Sequence, residues 1–204
     1  EDFHLRVSAP CRAHEKSPGL CPGLILSPFR SNYDLFHLAG ADLEFTQTGR
    51  EYRLRELLED ITGNYTHIII DSPPALGIMT INALTASSDI VIPVGADIYS
   101  LQGLQQLLAT VDKVKKYSNP GLRLAGLLIT RRGQRAIATR QLIEAIKARA
   151  ATLHAHLYRA TIREAIAIKE AQIMQGSIFE THAKAKATAD YSAFIDEYIA
   201  QEAQ

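Results

Sequence analysis

Asp71 closes a run of three β-branched residues, Ile68, Ile69 and Ile70, and is followed at once by Ser72, Pro73 and Pro74. Ligands of open α/β sheets gather outside the carboxyl ends of the strands, and a carboxylate there can hold a magnesium ion, directly or through water, beside a nucleotide phosphate. The same residue can equally cap the local turn or the helix that follows. A second group of reactive types is Thr130-Arg131-Arg132-Gly133-Gln134-Arg135, which leaves another apolar strand at its carboxyl end. Its guanidinium forks suit phosphate, and the loop comes near a bound nucleotide's base if its strand runs parallel to the first. A solvated basic loop is the alternative reading.

These residues need strands to carry them and helices to cover the strands. The consecutive isoleucines imply a strand, His67 to Asp71, buried on both faces as in a parallel sheet. Pro73 and Pro74 end the ladder, after which Ile78, Ile81 and Leu84 recur at helical spacing. Further strands are expected at Gly23 to Ser27, Asp89 to Val94 and Leu122 to Thr130. Helices are expected at Leu35 to Phe45, Glu51 to Ile61, Ile137 to Ala150 and Lys184 to Ala200. Ser100 is the expected N-cap of one more, whose core face is Leu101, Leu104, Leu107, Leu108, Val111 and Val114. Strands alternating with helices mean an α/β fold, a mostly parallel sheet with helices on both faces.

The run DSPPALGIMTINALTASSDIVIPVGADIYSLQGLQQL resembles the ParA family of plasmid and chromosome partitioning ATPases, whose relatives include MinD. The likeness continues upstream through LILSPFRSNYDLFHLAGADLEF and GREYRLRELLE. Downstream it continues through LLITRRGQR, IREAIAIKEAQ and AKAKATADYSAFIDEYI, so that it covers roughly residues 23 to 200. It implies a P-loop NTPase-like fold of the ParA/MinD type, with ATP and magnesium as cofactors. Asp71 then becomes the catalytic carboxylate that organises magnesium through water. Thr130 and Arg132 fall beside the base, and Arg135 and Arg163 at the DNA-binding surface. The resemblance also implies a homodimer when ATP is bound, nonspecific DNA and a ParB-type protein as partners, and a cytoplasmic, nucleoid-associated location.

The sequence departs from the family pattern in two places. None of its 12 glycines precedes a lysine, so the lysine-bearing phosphate loop is missing, and with it the backbone cradle on which phosphoryl transfer depends. The expectation is the family fold without its amino-terminal strands, unable to hydrolyse ATP alone: an irregular non-family segment at 1–22, then a partial ATPase domain at 23–204. The family's IPR-type segment looks like Ile162-Arg163-Glu164, with arginine in place of proline, and a basic position before the EA element is Ala167.

Composition adds limits. At 204 residues and 47% hydrophobic content the chain can bury a sizeable core, and one domain suffices. The 22 basic and 22 acidic residues cancel, but Arg131, Arg132, Arg135, Arg140, Lys147, Arg149, Arg159 and Arg163 share residues 131–163 with Glu144 as the only acid. Cys11 and Cys21 fit no zinc spacing and read as free thiols. No apolar run reaches the length of a membrane span. A second reading is a noncatalytic DNA- or partner-binding regulator on the same fold. A third, a MinD-like positioning ATPase, needs a basic amphipathic terminal helix, whereas IDEYIAQEAQ is acidic.

Overall fold

Runs of alternating and of helical apolar period sort the chain into an α/β fold. A computed structural model describes residues 4–8, 26–27, 48–63, 65–72, 76–95, 98–132, 137–152 and 155–203. The strands are β1 (His4–Ser8), β2 (Leu26–Ser27), β3 (His67–Asp71), β4 (Asp89–Gly95), β5 (Arg123–Arg132) and β6 (Leu157–Arg163). The helices are α1 (Arg53–Thr62), α2 (Ile78–Ala86), α3 (Ile98–Tyr117), α4 (Ile137–Thr152), α5 (Ile166–Ile173), α6 (Ile178–Thr181) and α7 (Lys186–Glu202). They fall into two compact units, Glu1–Ser88 with Ala109–Leu122, and Asp89–Leu108 with Arg123–Gln204.

In the first unit β1 lies between β2 and β3 and is antiparallel to both, with His4 opposite Asp71 and Ser8 opposite His67. Two expectations are corrected here. His4–Ser8 is a strand where irregular chain was expected, because its register supplies β3 with a ladder. And β3 is not covered on both faces: Ile68 and Ile70 pack with Leu54, Leu58 and Ala83, while Ile69 between them is 47% exposed. A period-two strand with helices on one side buries only alternate residues.

A buried amide holds this unit's helices together. The Asn82 side chain accepts a hydrogen bond from the Leu54 N–H at 3.1 Å and donates to the carbonyls of Arg50 at 2.8 Å and Ile78 at 3.0 Å. It thereby satisfies an orphan donor at the start of α1 from the middle of α2. Asn119, in the turn after α3, donates to the carbonyls of Leu84 and Ser87 at 3.0 and 2.7 Å and so closes the other end of α2.

In the second unit β4, β5 and β6 form a parallel sheet in that order. Its residues alternate between two cores. Ile92, Val94, Leu127 and Ile129 face Leu104 and Leu108 of α3 and Ile146 and Ala150 of α4. Val91, Leu128, Tyr158 and Ile162 face Ile168 of α5 and Tyr191, Phe194 and Tyr198 of α7. Helices thus cover both faces, as a parallel sheet requires. At Gly126 a Cβ would stand 2.7 Å from Tyr158 Cε2 and 2.9 Å from the His156 carbonyl oxygen, so only glycine lets β5 and β6 approach there.

Several elements follow the sequence reading within a few residues, β4, β5, α4 and α7 among them. The Ser100 cap is corrected: α3 already runs from Ile98, which puts Ser100 inside its first turn. Strand β6 has no counterpart in the reading, because Arg159 and Arg163 interrupt its apolar pattern. The helix expected at Leu35 to Phe45, the thiols Cys11 and Cys21, and Pro73 and Pro74 lie outside the described residues.

Candidate functional site

Asp71 is the last residue of β3, and its side chain is exposed. The helix that follows starts from Gly77, whose extended backbone (φ −96°, ψ −172°) precedes Ile78 without any side-chain cap. Asp71 is therefore not the cap of α2, and among the described residues nothing occupies its carboxylate. An exposed carboxylate at a strand's carboxyl end suits a hydrated magnesium ion, which is held in nucleotide sites by one or two carboxylates and by phosphate. No group of three or more His, Cys, Asp and Glu among the described residues could hold a metal by itself.

The second unit presents its own carboxyl edge. Thr130, opposite Gly95 in β4, is half-buried; Arg131 and Arg132 after it are exposed. Arg131 has φ +51°, a left-handed conformation that costs an L side chain about 1–2 kcal/mol. Arg132 pairs in register with Arg163 of β6, and the Glu164 N–H donates to the Arg132 carbonyl at 3.4 Å. Thr130, Arg132 and Arg163 thus share one sheet edge, whereas Asp71 belongs to the other unit. Arg135 lies outside the described residues.

Arg163 is engaged within the fold. Its Nε donates to Asp190 Oδ2 at 2.5 Å, its Nη2 to Oδ1 at 2.7 Å, and its own backbone N–H to Oδ2 at 3.1 Å. The hydrogen-bonded guanidinium holds the Asp190 carboxyl below its usual range against a smaller opposing effect of burial. This geometry takes up the fork that a DNA contact by Arg163 requires.

Asp190 is one of three α7 side chains that serve the sheet. Glu197 accepts the N–H groups of Arg159 at 2.9 Å and Ala160 at 3.0 Å. Burial alone would raise the Glu197 carboxyl, but those donors and His156 together bring it below its usual value. Gln201 accepts from the Tyr158 hydroxyl at 3.0 Å and donates to the Ala125 carbonyl at 2.9 Å. The spacing i, i+7, i+11 puts all three on one helix face, a signal that was legible in the sequence as polar residues recurring at helical period.

A family model described as an AAA domain matches residues 29–124. The sporulation initiation inhibitor protein Soj of Bacillus subtilis (strain 168) is 50% identical over 111 residues, which are 54% of this chain and 44% of Soj. The chromosome partitioning protein ParA of Myxococcus xanthus (strain DK1622) is 42% identical over 111 residues, 54% of this chain and 39% of that protein. The chain spans less than half the length of these curated relatives. Among solved structures, cobyrinic acid a,c-diamide synthase from Mycobacterium smegmatis is similar at TM-score 0.63 and 28% identity, over 78% of this chain and 57% of that one. The same enzyme with a bound ATP analog and magnesium is similar at TM-score 0.51 and 35% identity, over 55% and 47% of the two chains.

Proposed function

We propose that this chain, similar to Soj and ParA partitioning proteins over about half of its length, serves DNA partitioning as a member of the ParA family, with Asp71 orienting a water-held magnesium ion and Thr130 and Arg132 lining the place of the base. The observation that carries this reading is the exposed Asp71 carboxylate at the end of β3. Magnesium and ATP, when bound, supply the charge and the transferable phosphoryl group. The residues of this chain would orient and neutralise: Asp71 would hold the hydrated metal, and the Thr130 hydroxyl and Arg132 guanidinium would offer polar contacts to the nucleoside. Arg135 meets DNA phosphates without sequence preference. The assembled protein is a homodimer when ATP is bound, works with a ParB-type partner and associates with the nucleoid. Among the described residues no helix is long and apolar enough to cross a membrane.

A second reading is a noncatalytic DNA- or partner-binding regulator on the same fold. One titration separates the two. A fluorescent ATP analogue is titrated into the chain and its Asp71→Ala variant, with and without magnesium, and turnover is followed in parallel. On the first reading magnesium strengthens binding to the wild type and not to the variant, while turnover by these residues alone stays at background. Equal magnesium dependence in both proteins removes Asp71 from the site. DNA binding with no nucleotide binding supports the regulator.

A further inference from the structure

Three residue steps of β5, from Ile129 to Arg132, match only two of β6, because Ile129 pairs with Thr161 and Arg132 with Arg163. The register therefore shifts just where β5 reaches the sheet's carboxyl edge, and Arg131, at φ +51°, is the left-handed residue of that stretch. An extra residue of this kind bends its strand and re-aims a neighbouring side chain. The bond beyond the shift is long, the Glu164 N–H reaching the Arg132 carbonyl at 3.4 Å. So weak a link does not hold a strained turn by itself. The β6 side is fixed by Asp190, whose carboxylate takes the Arg163 Nε, Nη2 and backbone N–H. The Arg163 hydrogen bonds, and less strongly the charge of Arg132, hold that carboxyl below its usual range, so the three groups are neighbours.

We propose that Asp190 is a positioning residue: by clamping Arg163 it locks the register across the bulge, so that Arg132 and not Arg131 stands opposite Arg163 and serves the place of the base. The inference rests on the assignment of that edge to the nucleoside. Side chains alternate along a strand, so a slip of one residue would put Arg131 at the pairing position and carry the Arg132 guanidinium to the other face. Both arginines are exposed, so burial favours neither register and the choice falls to the clamp. The clamp is itself anchored, because Tyr191 and Phe194 of the same helix pack against Leu128, Tyr158 and Ile162.

The test is the affinity of a fluorescent ATP analogue, read beside amide hydrogen exchange of the unliganded chain. Asp190→Asn and Arg163→Lys each break the fork and should weaken the analogue about three- to ten-fold, the loss of one polar contact. In an Arg132→Ala background neither should weaken it further, since both act through Arg132. Without nucleotide, the amides of Arg131, Arg132 and Glu164 should exchange faster in both variants, while Leu127 to Ile129 keep their protection and report an intact sheet. Unchanged exchange at the edge overturns the proposal. So do losses of affinity that add to that of Arg132→Ala, because a merely structural role lowers affinity whichever residue stands at 132. A wild-type chain without nucleotide affinity, or one indifferent to Arg132→Ala, removes the reading of the site instead, and the register lock then stands or falls on the exchange alone.

Discussion

Arg163 of β6 and Asp190 of α7 meet fork to fork, through Nε to Oδ2 at 2.5 Å and Nη2 to Oδ1 at 2.7 Å, and the Arg163 backbone N–H adds a third bond to the same carboxylate. Asp190 thus pins the end of an edge strand to the covering helix. Asp190→Ala should cost about 1–3 kcal/mol, read as a lower midpoint in urea unfolding. The acid limb carries a second signature. The folded carboxyl titrates below its ordinary value of 3.8, so its stabilisation is complete above that value and is lost as pH falls through the lower folded one. Asp190→Asn should flatten the loss of stability below about pH 4.

Asn82 answers for the packing of α1 on α2. Its amide makes three hydrogen bonds to backbone groups at 3% residue exposure, so truncation leaves buried donors and acceptors without partners. Asn82→Ala should lower stability by about 2–3 kcal/mol, or roughly 4–12 °C in Tm for a chain of this size. Asn82→Asp, which keeps the acceptor and loses the donor, should also destabilise; a thermal melt unchanged by either variant removes the clamp.

Arg131 stands in the left-handed region with its side chain exposed. Glycine adopts that backbone without steric cost, though it loses more chain entropy on folding. Arg131→Gly should therefore stabilise the second unit by about 1 kcal/mol, while Arg131→Val should destabilise it. If both variants melt with the wild type, the strain is absent in solution.

Tyr158 is 2% exposed, and burial, with the Glu197 charge behind it, raises its phenol from 10.0 to about 12. A raised folded value stabilises the protein fully below the unfolded one and is lost as pH climbs through the folded one. Stability should accordingly fall between about pH 10 and 12, with phenolate absorbance from this residue appearing late. Burial moves Tyr191 and Tyr198 in the same direction. Tyr158→Phe should reduce the alkaline loss and, at neutral pH, cost about 1 kcal/mol for the hydrogen bond to Gln201.

What the sequence could disclose depended on how local the cause was. The strand ending at Asp71 and the helix after the two prolines follow from β-branched residues and ring constraints within a dozen positions, and the α/β order follows from their repetition. The exposure of Ile69 does not, since three isoleucines in a row look alike whether one face of the sheet is covered or two. Arg163 read as a phosphate contact because its partner Asp190 lies 27 residues away and is brought in only by the packing of α7 on β6. The left-handed turn at Arg131 carried no glycine to announce it. The apolar residues of α5 were visible as letters, but only burial separates the exposed Ile166 and Ile173 from the packed Ile168.

The engagement of Arg163 with Asp190 bears on DNA. A guanidinium that neutralises a phosphate releases counterions, so its loss weakens binding to all sequences alike and lowers the slope of log K against log salt by about one. Arg135, placed by resemblance at the DNA surface, should show this: Arg135→Glu weakens binding to unrelated duplexes equally and flattens the salt dependence. Arg163 should not, because Asp190 already matches its charge and takes its Nε and Nη2 donors. Arg163→Gln, checked for folding by circular dichroism, should leave the salt slope of anisotropy titrations unchanged. A fall in slope for Arg163→Gln with none for Arg135→Glu would reverse the two assignments and move the DNA surface onto the β6 edge.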